Sequence, residues 1–126
     1  MKTILLVEDN PGDQKLFEEF IKEEKIDCEL IIAASANDSI NMIFRHKPDV
    51  IIMDINMPGL PGDDFVFLLR GNSATKHIPI IFLTGLQDKI ISSPDGISIE
   101  GKIFPLLSKP ADPQQLKKVI LKFIGQ

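Results

Sequence analysis

The chain has 126 residues, of which 44% are hydrophobic and 25% charged, a length and balance that favour one soluble domain folding without disulfides or a structural metal. The net charge of −4 argues against a basic nucleic-acid-binding face and against binding to an anionic membrane surface. The single cysteine, Cys28, excludes an internal disulfide, and a cytoplasmic location is expected because neither a signal peptide nor an apolar run of about 20 residues is visible.

The first half of the chain predicts three strands separated by two helices. In chain order these are a strand at 3–7, a helix at 14–24, a strand at 28–34, a helix at 37–46 and a strand at 49–55. On the second helix we expect Ile40, Ile43 and Phe44 to face inward, with Asn37 as the N-cap.

The second half continues the alternation but contains one weak segment. A helix at 62–71, a strand at 78–84, a strand at 103–108 and a helix at 113–125 follow from the pattern. Pro105 suggests that the fifth strand is irregular or lies at an edge. A further helix is expected within 86–101, but Pro94 and the Asp95–Gly96 pair interrupt its pattern, so this fourth helix is expected to be irregular.

Strands that alternate with helices predict right-handed crossovers and a parallel sheet with helices on both faces. The continuous apolar runs "ILLV", "VIIM" and "IPIIFL" agree, because central parallel strands are buried on both sides. The predicted fold class is therefore α/β and doubly wound, in a single domain spanning 1–126.

Polar residues follow several of these strands where the strands end. In an open parallel sheet, ligands bind beyond the carboxyl ends of the strands. The residues at those ends are Glu8, Asp9, Asp54, Thr84, Gly85 and Lys109. If their strands are neighbours, three acids, a hydroxyl and an ammonium converge on one cleft.

Each of these residues alone has an ordinary structural explanation. Asp54 could simply open a loop, Asp9 or Asn10 could cap a helix, and Lys109 could extend into solvent. Together they are more specific, because three carboxylates in one cleft need a cation and oxygen ligands without His or Cys favour magnesium over zinc. Thr84, the Gly85 N–H and Lys109 could hold a tetrahedral anion. The set suits transfer of a phosphoryl group to a carboxylate.

The motifs "LLVEDN", "PDVIIMDINMPGLPG", "IPIIFLTG" and "LLSKP" occur here in the order and with roughly the spacing of a known family. Over essentially all 126 residues the sequence resembles the receiver domain of two-component response regulators. The resemblance implies a five-stranded, flavodoxin-like sheet of order 2-1-3-4-5. It also implies a phospho-accepting signalling domain, not an enzyme in its own right, that switches the interactions of a partner or output domain.

The resemblance also implies roles for individual residues. Asp54 would accept phosphate from a histidine kinase or a histidine phosphotransfer protein. Asp9 and Asp54 would ligate Mg²⁺ with the main-chain carbonyl of Asn56, and Glu8 would act mainly through water. Thr84 and Lys109 would hold the phosphoryl oxygens. The N–H of Gly85 would also contact the phosphoryl group. The Lys109–Pro110 peptide bond would be cis.

The chain departs from the family pattern in the region that usually transmits the signal. Leu106 occupies the position where the family commonly has an aromatic residue, and Leu86 lies where a polar residue often guides the hydrolytic water. We therefore expect a switch region around Leu86 and Leu106 that works without rotation of a ring. Phosphorylation could also lead two copies of the domain to form a homodimer. Direct binding to nucleic acid or to a membrane is not expected.

Two other functions remain open from the sequence. A phosphatase of the haloacid dehalogenase type also uses a strand-end Asp with magnesium, but it needs a second acid two residues on, where this chain has Asn56. An interaction module that keeps the fold but signals without phosphate is compatible with the altered segment 86–106. Flavin binders share the strand order, but the acids of "EDNPGD" would repel a phosphate.

Overall fold

The computed structural model describes residues 1–55, 57–85, 96–99, 101–109 and 112–125. In these residues the strands are β1 (Lys2–Val7), β2 (Cys28–Ala33), β3 (Val50–Asp54), β4 (Ile80–Thr84), β5 (Ile97–Ile99), β6 (Lys102–Phe104) and β7 (Leu106–Ser108). The helices are α1 (Pro11–Glu23), α2 (Ala36–His46), α3 (Gly62–Arg70) and α4 (Pro113–Ile124).

Five of the strands form one parallel sheet in the order β2-β1-β3-β4-β7. This confirms the predicted order 2-1-3-4-5, with β7 as the fifth strand of the sheet. The central strands are buried along nearly their whole length, as their uninterrupted apolar sequences require.

Alternate residues of each strand feed two cores on opposite faces of the sheet. Leu5, Ile51 and Phe82 pack in one core with the apolar residues of α2 and α3. Ile4, Ile52 and Ile81, their neighbours in sequence, pack in the other core with α1 and α4. The doubly wound arrangement predicted from the sequence is therefore present.

The described part of the segment where a fourth helix was expected is a β-hairpin. β5 and β6 pair antiparallel, with Ile97 opposite Phe104. The alternating pattern of Ile97, Ser98 and Ile99 suits an extended strand, and Gly101 adopts φ +76° in the turn. A helix is therefore wrong for residues 96–99, and residues 86–95 lie outside the described part.

Pro105 explains why the predicted strand at 103–108 is divided into β6 and β7. Proline has no N–H to give to a sheet, but its carbonyl accepts a hydrogen bond from the Phe82 amide at 2.9 Å. The chain thus leaves the hairpin after Phe104 and enters the parallel sheet at Leu106. The expectation of an irregular fifth strand is confirmed.

Two details predicted for α2 are wrong. Its N-cap is Ser35, not Asn37, because the Ser35 hydroxyl accepts a hydrogen bond from the Asp38 amide at 3.1 Å. Ile43 is buried as expected, but Phe44 is 38% exposed. The earlier start of the helix is set by Ser35.

Candidate functional site

The register of the parallel strands brings the predicted site residues to one edge of the sheet. Val7 pairs with Met53, so Glu8 and Asp54 are at the same level on neighbouring strands. Thr84 pairs with Ser108 in the same way, so Lys109 directly follows the end of β7. The Lys109 amide donates to the Thr84 carbonyl at 2.8 Å, which holds the start of this loop against β4.

Glu8 is a buried acid with a fixed position. Its side chain is only 3% exposed, and its carboxylate accepts a hydrogen bond from the Asn10 amide at 3.1 Å. The Glu8 carbonyl also accepts from the side-chain amide of Gln14 at 2.6 Å. Burying a carboxylate this far from water is costly unless a cation lies close by.

The ammonium of Lys109 supplies that cation. Its Nζ lies 2.5 Å from Glu8 Oε1 and 3.0 Å from Asp54 Oδ2. A third carboxylate, that of Asp13, is 3.5 Å away. Lys109 thus does not simply extend into solvent. It joins an acid that directly follows β1, the last residue of β3 and an acid in the first turn of α1, and its side chain is 22% exposed.

The protonation state of Lys109 follows from these contacts. Partial burial of the ammonium acts to lower its pKa, but the hydrogen bonds and negative charges of Glu8 and Asp54 act in the opposite direction and outweigh it. The pKa of Lys109 is therefore raised above its ordinary value of 10.5. The ammonium stays charged at every pH at which the domain would work.

Asp54 is the strand-end acid that combines contact with the lysine and access from outside. It is the last residue of β3, its side chain is 22% exposed, and its carbonyl accepts from the Met57 amide at 3.2 Å. Thr84 and Gly85 follow on the neighbouring strand and are partly buried. The Asp54 carboxylate is therefore accessible to a reagent from outside, and the Lys109 ammonium balances its charge.

Sequence reasoning missed two residues of the site, Asp13 and Gln14. The predicted helix began at Gln14, whereas α1 begins at Pro11, and the side chain of Asn10 caps it by accepting from the Asp13 amide at 3.1 Å. The signal was present in the pair Asn10–Pro11, because an N-cap residue followed by proline marks a helix start. That start places Asp13 in the first turn, beside the end of β1.

The acids at this edge offer only oxygen donors, the ligand type that magnesium prefers. Among the described residues no group of three or more Asp, Glu, His or Cys side chains is arranged to hold a metal unaided. Magnesium is commonly held by one or two carboxylates and several waters, however, and Glu8 and Asp54 already share one cation, the Lys109 ammonium. Asp9 lies exposed at the same strand end.

Three residues named from the sequence lie outside the described part of the chain, namely Asn56, Leu86 and Pro110. Leu106, by contrast, is partly buried and packs against the core that also contains Phe104. The Phe104 ring meets Phe82 edge-on, with 5.8 Å between centroids. The aromatic residue near the switch position is therefore fixed in the core at the base of the hairpin.

Comparison with known proteins identifies the family. The model of the response regulator receiver domain matches residues 4–121. The chain belongs to this family. As a receiver domain it is 29% identical to the response regulator Rre1 of Synechocystis sp., over 98% of the chain and 52% of Rre1, so it spans about half the length of that relative. It is also 29% identical to the polar-differentiation response regulator DivK of Brucella ovis, over 98% of the chain and 97% of DivK.

Solved structures of other receiver domains share the fold. The receiver domain of a DNA-binding response regulator from Colwellia psychrerythraea superposes with a TM-score of 0.82 at 23% identity, covering 100% of both chains. The receiver domain of a sensor histidine kinase from Pseudomonas aeruginosa, described with a magnesium ion coordinated in its active-site cleft, gives 0.79 at 25% identity and covers 99% of this chain and 98% of its own. In the described part of the present receiver domain, no helix has both the length and the apolar character needed to cross a membrane.

Proposed function

We propose that this receiver domain accepts a phosphoryl group on Asp54 from the phosphohistidine of a histidine kinase or a histidine phosphotransfer protein. The observation that carries the proposal is the contact between Asp54 and Lys109, with Nζ 3.0 Å from Oδ2. An acid at the open end of a parallel strand, paired with a cation from a neighbouring loop, can act as a nucleophile toward an anionic group.

In the proposed reaction a carboxylate oxygen of Asp54 attacks the phosphorus atom. The phosphorus–nitrogen bond to the donor histidine breaks, its electron pair stays on the imidazole, and Asp54 becomes an acyl phosphate. Negative charge on the phosphoryl oxygens is then met by the ammonium of Lys109, which is already in the cleft. Thr84 and the N–H of Gly85 are proposed to hold the remaining oxygens.

Magnesium would be held by Asp54 and Asp9, with Glu8 close by and the carbonyl of Asn56 as a further ligand. When bound, it supplies charge neutralisation for the transferred group. The all-oxygen donor set supports this assignment. The magnesium in the cleft of the Pseudomonas aeruginosa receiver domain supports it as well.

The phosphorylated domain is proposed to alter its contacts with a partner protein, an output domain or a second copy of itself. Two-component relatives are signalling proteins, and the chain spans about half of Rre1 but nearly all of DivK. The lengths of these two relatives are therefore compatible with a receiver domain that acts alone, as well as with one that is part of a longer protein. We propose a cytoplasmic location, where a kinase and its phosphate donors are available.

The proposal is tested by incubating the protein with acetyl phosphate, with and without Mg²⁺, and mapping the label by mass spectrometry. Label on Asp54 that requires Mg²⁺ is expected, and Asp54→Asn should take up none. Asp64→Asn, an exposed acid in the first turn of α3, is the matched control and should be labelled like the unmodified protein. Label on another residue, or equal label in Asp54→Asn, would show that Asp54 is not the residue that accepts the phosphoryl group.

A further inference from the structure

Asp13 contacts the lysine of the site without belonging to any strand end. Its Oδ2 is 3.5 Å from Lys109 Nζ, and its side chain is 43% exposed, against 3% for Glu8. Lys109 thus has two carboxylates, Glu8 and Asp54, on its buried side and a third at the surface. The ion pair of Lys109 with Asp13 is the longest of the three, and Asp13 is the most exposed of the three acids.

The start of α1 determines where Asp13 lies. Asn10 caps the helix through the Asp13 amide, and the adjacent residue, Gln14, donates its side-chain amide to the Glu8 carbonyl. These two bonds fix the first turn of α1 to the end of β1. Asp13 therefore remains beside the cleft while its own side chain, held only by Lys109 in the described structure, is free to turn toward solvent.

We propose that Asp13 is a positioning residue that restrains the Lys109 ammonium and slows transfer to Asp54 from highly charged phosphate donors. This inference rests on the proposed function of Asp54. It adds a selectivity determinant: Asp13 would make the domain favour a phosphate donor of lower net negative charge over a dianionic one.

Two physical effects act in the same direction. First, an ammonium shared with Asp13 is less available to the oxygens of an incoming phosphoryl group, because each contact orients the side chain toward its own acceptor. Second, Asp13 adds a negative charge at the open side of the cleft, where an anionic donor has to approach. Three carboxylates around one ammonium leave an excess of negative charge, and removing Asp13 reduces it while the contacts of Lys109 with Glu8 and Asp54 stay in place.

The test compares two small donors of different charge. Acetyl phosphate is dianionic at neutral pH, whereas phosphoramidate carries a single net negative charge. Asp13→Asn should accelerate labelling of Asp54 by acetyl phosphate roughly two- to fivefold, the scale that a half-exposed ion pair permits, and should have a smaller effect with phosphoramidate. The acceleration should shrink as salt is added, because salt screens charges near the surface.

Two variants separate a charge effect from a structural one. Asp38→Asn makes the same change in the first turn of α2, where the Asp38 amide is capped by Ser35 just as the Asp13 amide is capped by Asn10. It should label like the unmodified protein. Asp13→Glu keeps the charge and should restore the slow rate with acetyl phosphate.

The outcomes are distinct. An Asp13→Asn rate equal to that of Asp38→Asn, an equal gain with both donors, or an Asp13→Glu protein that behaves like Asp13→Asn overturns this inference and leaves Asp54 as the acceptor. Absence of label on Asp54 in the unmodified protein overturns the proposed function and this inference with it. Donor-dependent acceleration confined to Asp13→Asn supports the inference.

Discussion

Lys109 and Asp54 are 55 residues apart in sequence, yet the ammonium of one lies 3.0 Å from the carboxylate of the other. The same ammonium contacts the buried Glu8, so the site carries its own cation. A strand edge crowded with acids is thereby stabilised by a residue from the opposite end of the chain.

Removing Lys109 should destabilise the fold. Lys109→Met leaves the Glu8 carboxylate buried, with the hydrogen bond from the Asn10 amide but without the lysine, and loss of a partner to a buried charged group costs about 1–3 kcal/mol. Combining it with Glu8→Gln should recover part of the loss, because the uncompensated charge is then gone. Urea unfolding of both single variants and the double variant measures the coupling.

The control for this cycle is the pair Lys2–Asp49. It is exposed, with 3.9 Å between Lys2 Nζ and Asp49 Oδ1, so Lys2→Met should change stability by about 0–1 kcal/mol. If Lys109→Met is no more damaging than Lys2→Met, Glu8 does not depend on the lysine.

The contribution of Lys109 to the free energy of unfolding should be lost only at alkaline pH. Its pKa in the folded chain is raised above the ordinary 10.5, so the folded state favours the protonated form. The stabilisation is complete below that ordinary value and is lost as the pH rises through the folded pKa. The stability difference between the unmodified protein and Lys109→Met, measured by urea unfolding, should stay flat from neutral to mildly alkaline pH and shrink beyond. A difference that shrinks already near neutral pH would contradict the raised pKa.

Magnesium should stabilise the folded chain. An ion bound only by the folded state adds about 2.7 kcal/mol at a hundredfold excess over its dissociation constant. Asp9→Asn and Asp54→Asn should each lose most of the rise in melting temperature, whereas Asp38→Asn, at the start of α2, should keep it. An unaltered magnesium response in Asp9→Asn would remove Asp9 from the proposed ligands.

Gly96 should tolerate no side chain. Its φ is +130°, and a Cβ there would lie 2.0 Å from the carbonyl oxygen of Phe104. Gly101 also has a positive φ, +76°, but has no heavy atom within 4 Å of an added Cβ. Gly101→Ala should therefore cost about 1–2 kcal/mol for backbone strain alone, and Gly96→Ala should cost clearly more in thermal unfolding. Equal costs would mean that the hairpin shifts to make room for the methyl group.

Phosphorylation should reach the hairpin through β4. Thr84 ends β4, which bonds to Pro105 through the Phe82 amide and pairs with β7 at Ser108. Leu106 has no ring to rotate into space vacated by Thr84, so backbone motion is expected to carry the change. Hydrogen exchange with and without beryllofluoride, a phosphoryl mimic, should show altered protection in 96–106 as well as around Asp54. Changes confined to 8–13 and 54–62 would place the output elsewhere.

The sequence alone was enough to predict the sheet and the edge at which the site lies. Uninterrupted apolar runs such as "VIIM" favour strands buried on both faces, and their alternation with amphipathic segments favours parallel pairing. The strand order implied by the resemblance to receiver domains makes the carboxyl ends of strands 1, 3, 4 and 5 neighbours, which predicted that Glu8, Asp54 and Lys109 would meet. The roles assigned to Asp54 and its neighbours in phosphate and magnesium binding stay predictions.

The tertiary structure decided what periodicity does not encode. Residues 96–99 and 101–104 form a hairpin because Gly96 lies against the Phe104 carbonyl and Phe104 packs on Phe82, contacts between segments that a local pattern cannot contain. Likewise, Asp13 is part of the site because α1 begins at Pro11 and because the side chain of Lys109, 96 positions later in the chain, contacts it. Local sequence fixes which face of an element is apolar, whereas the partner of a charged side chain depends on which elements the core brings together.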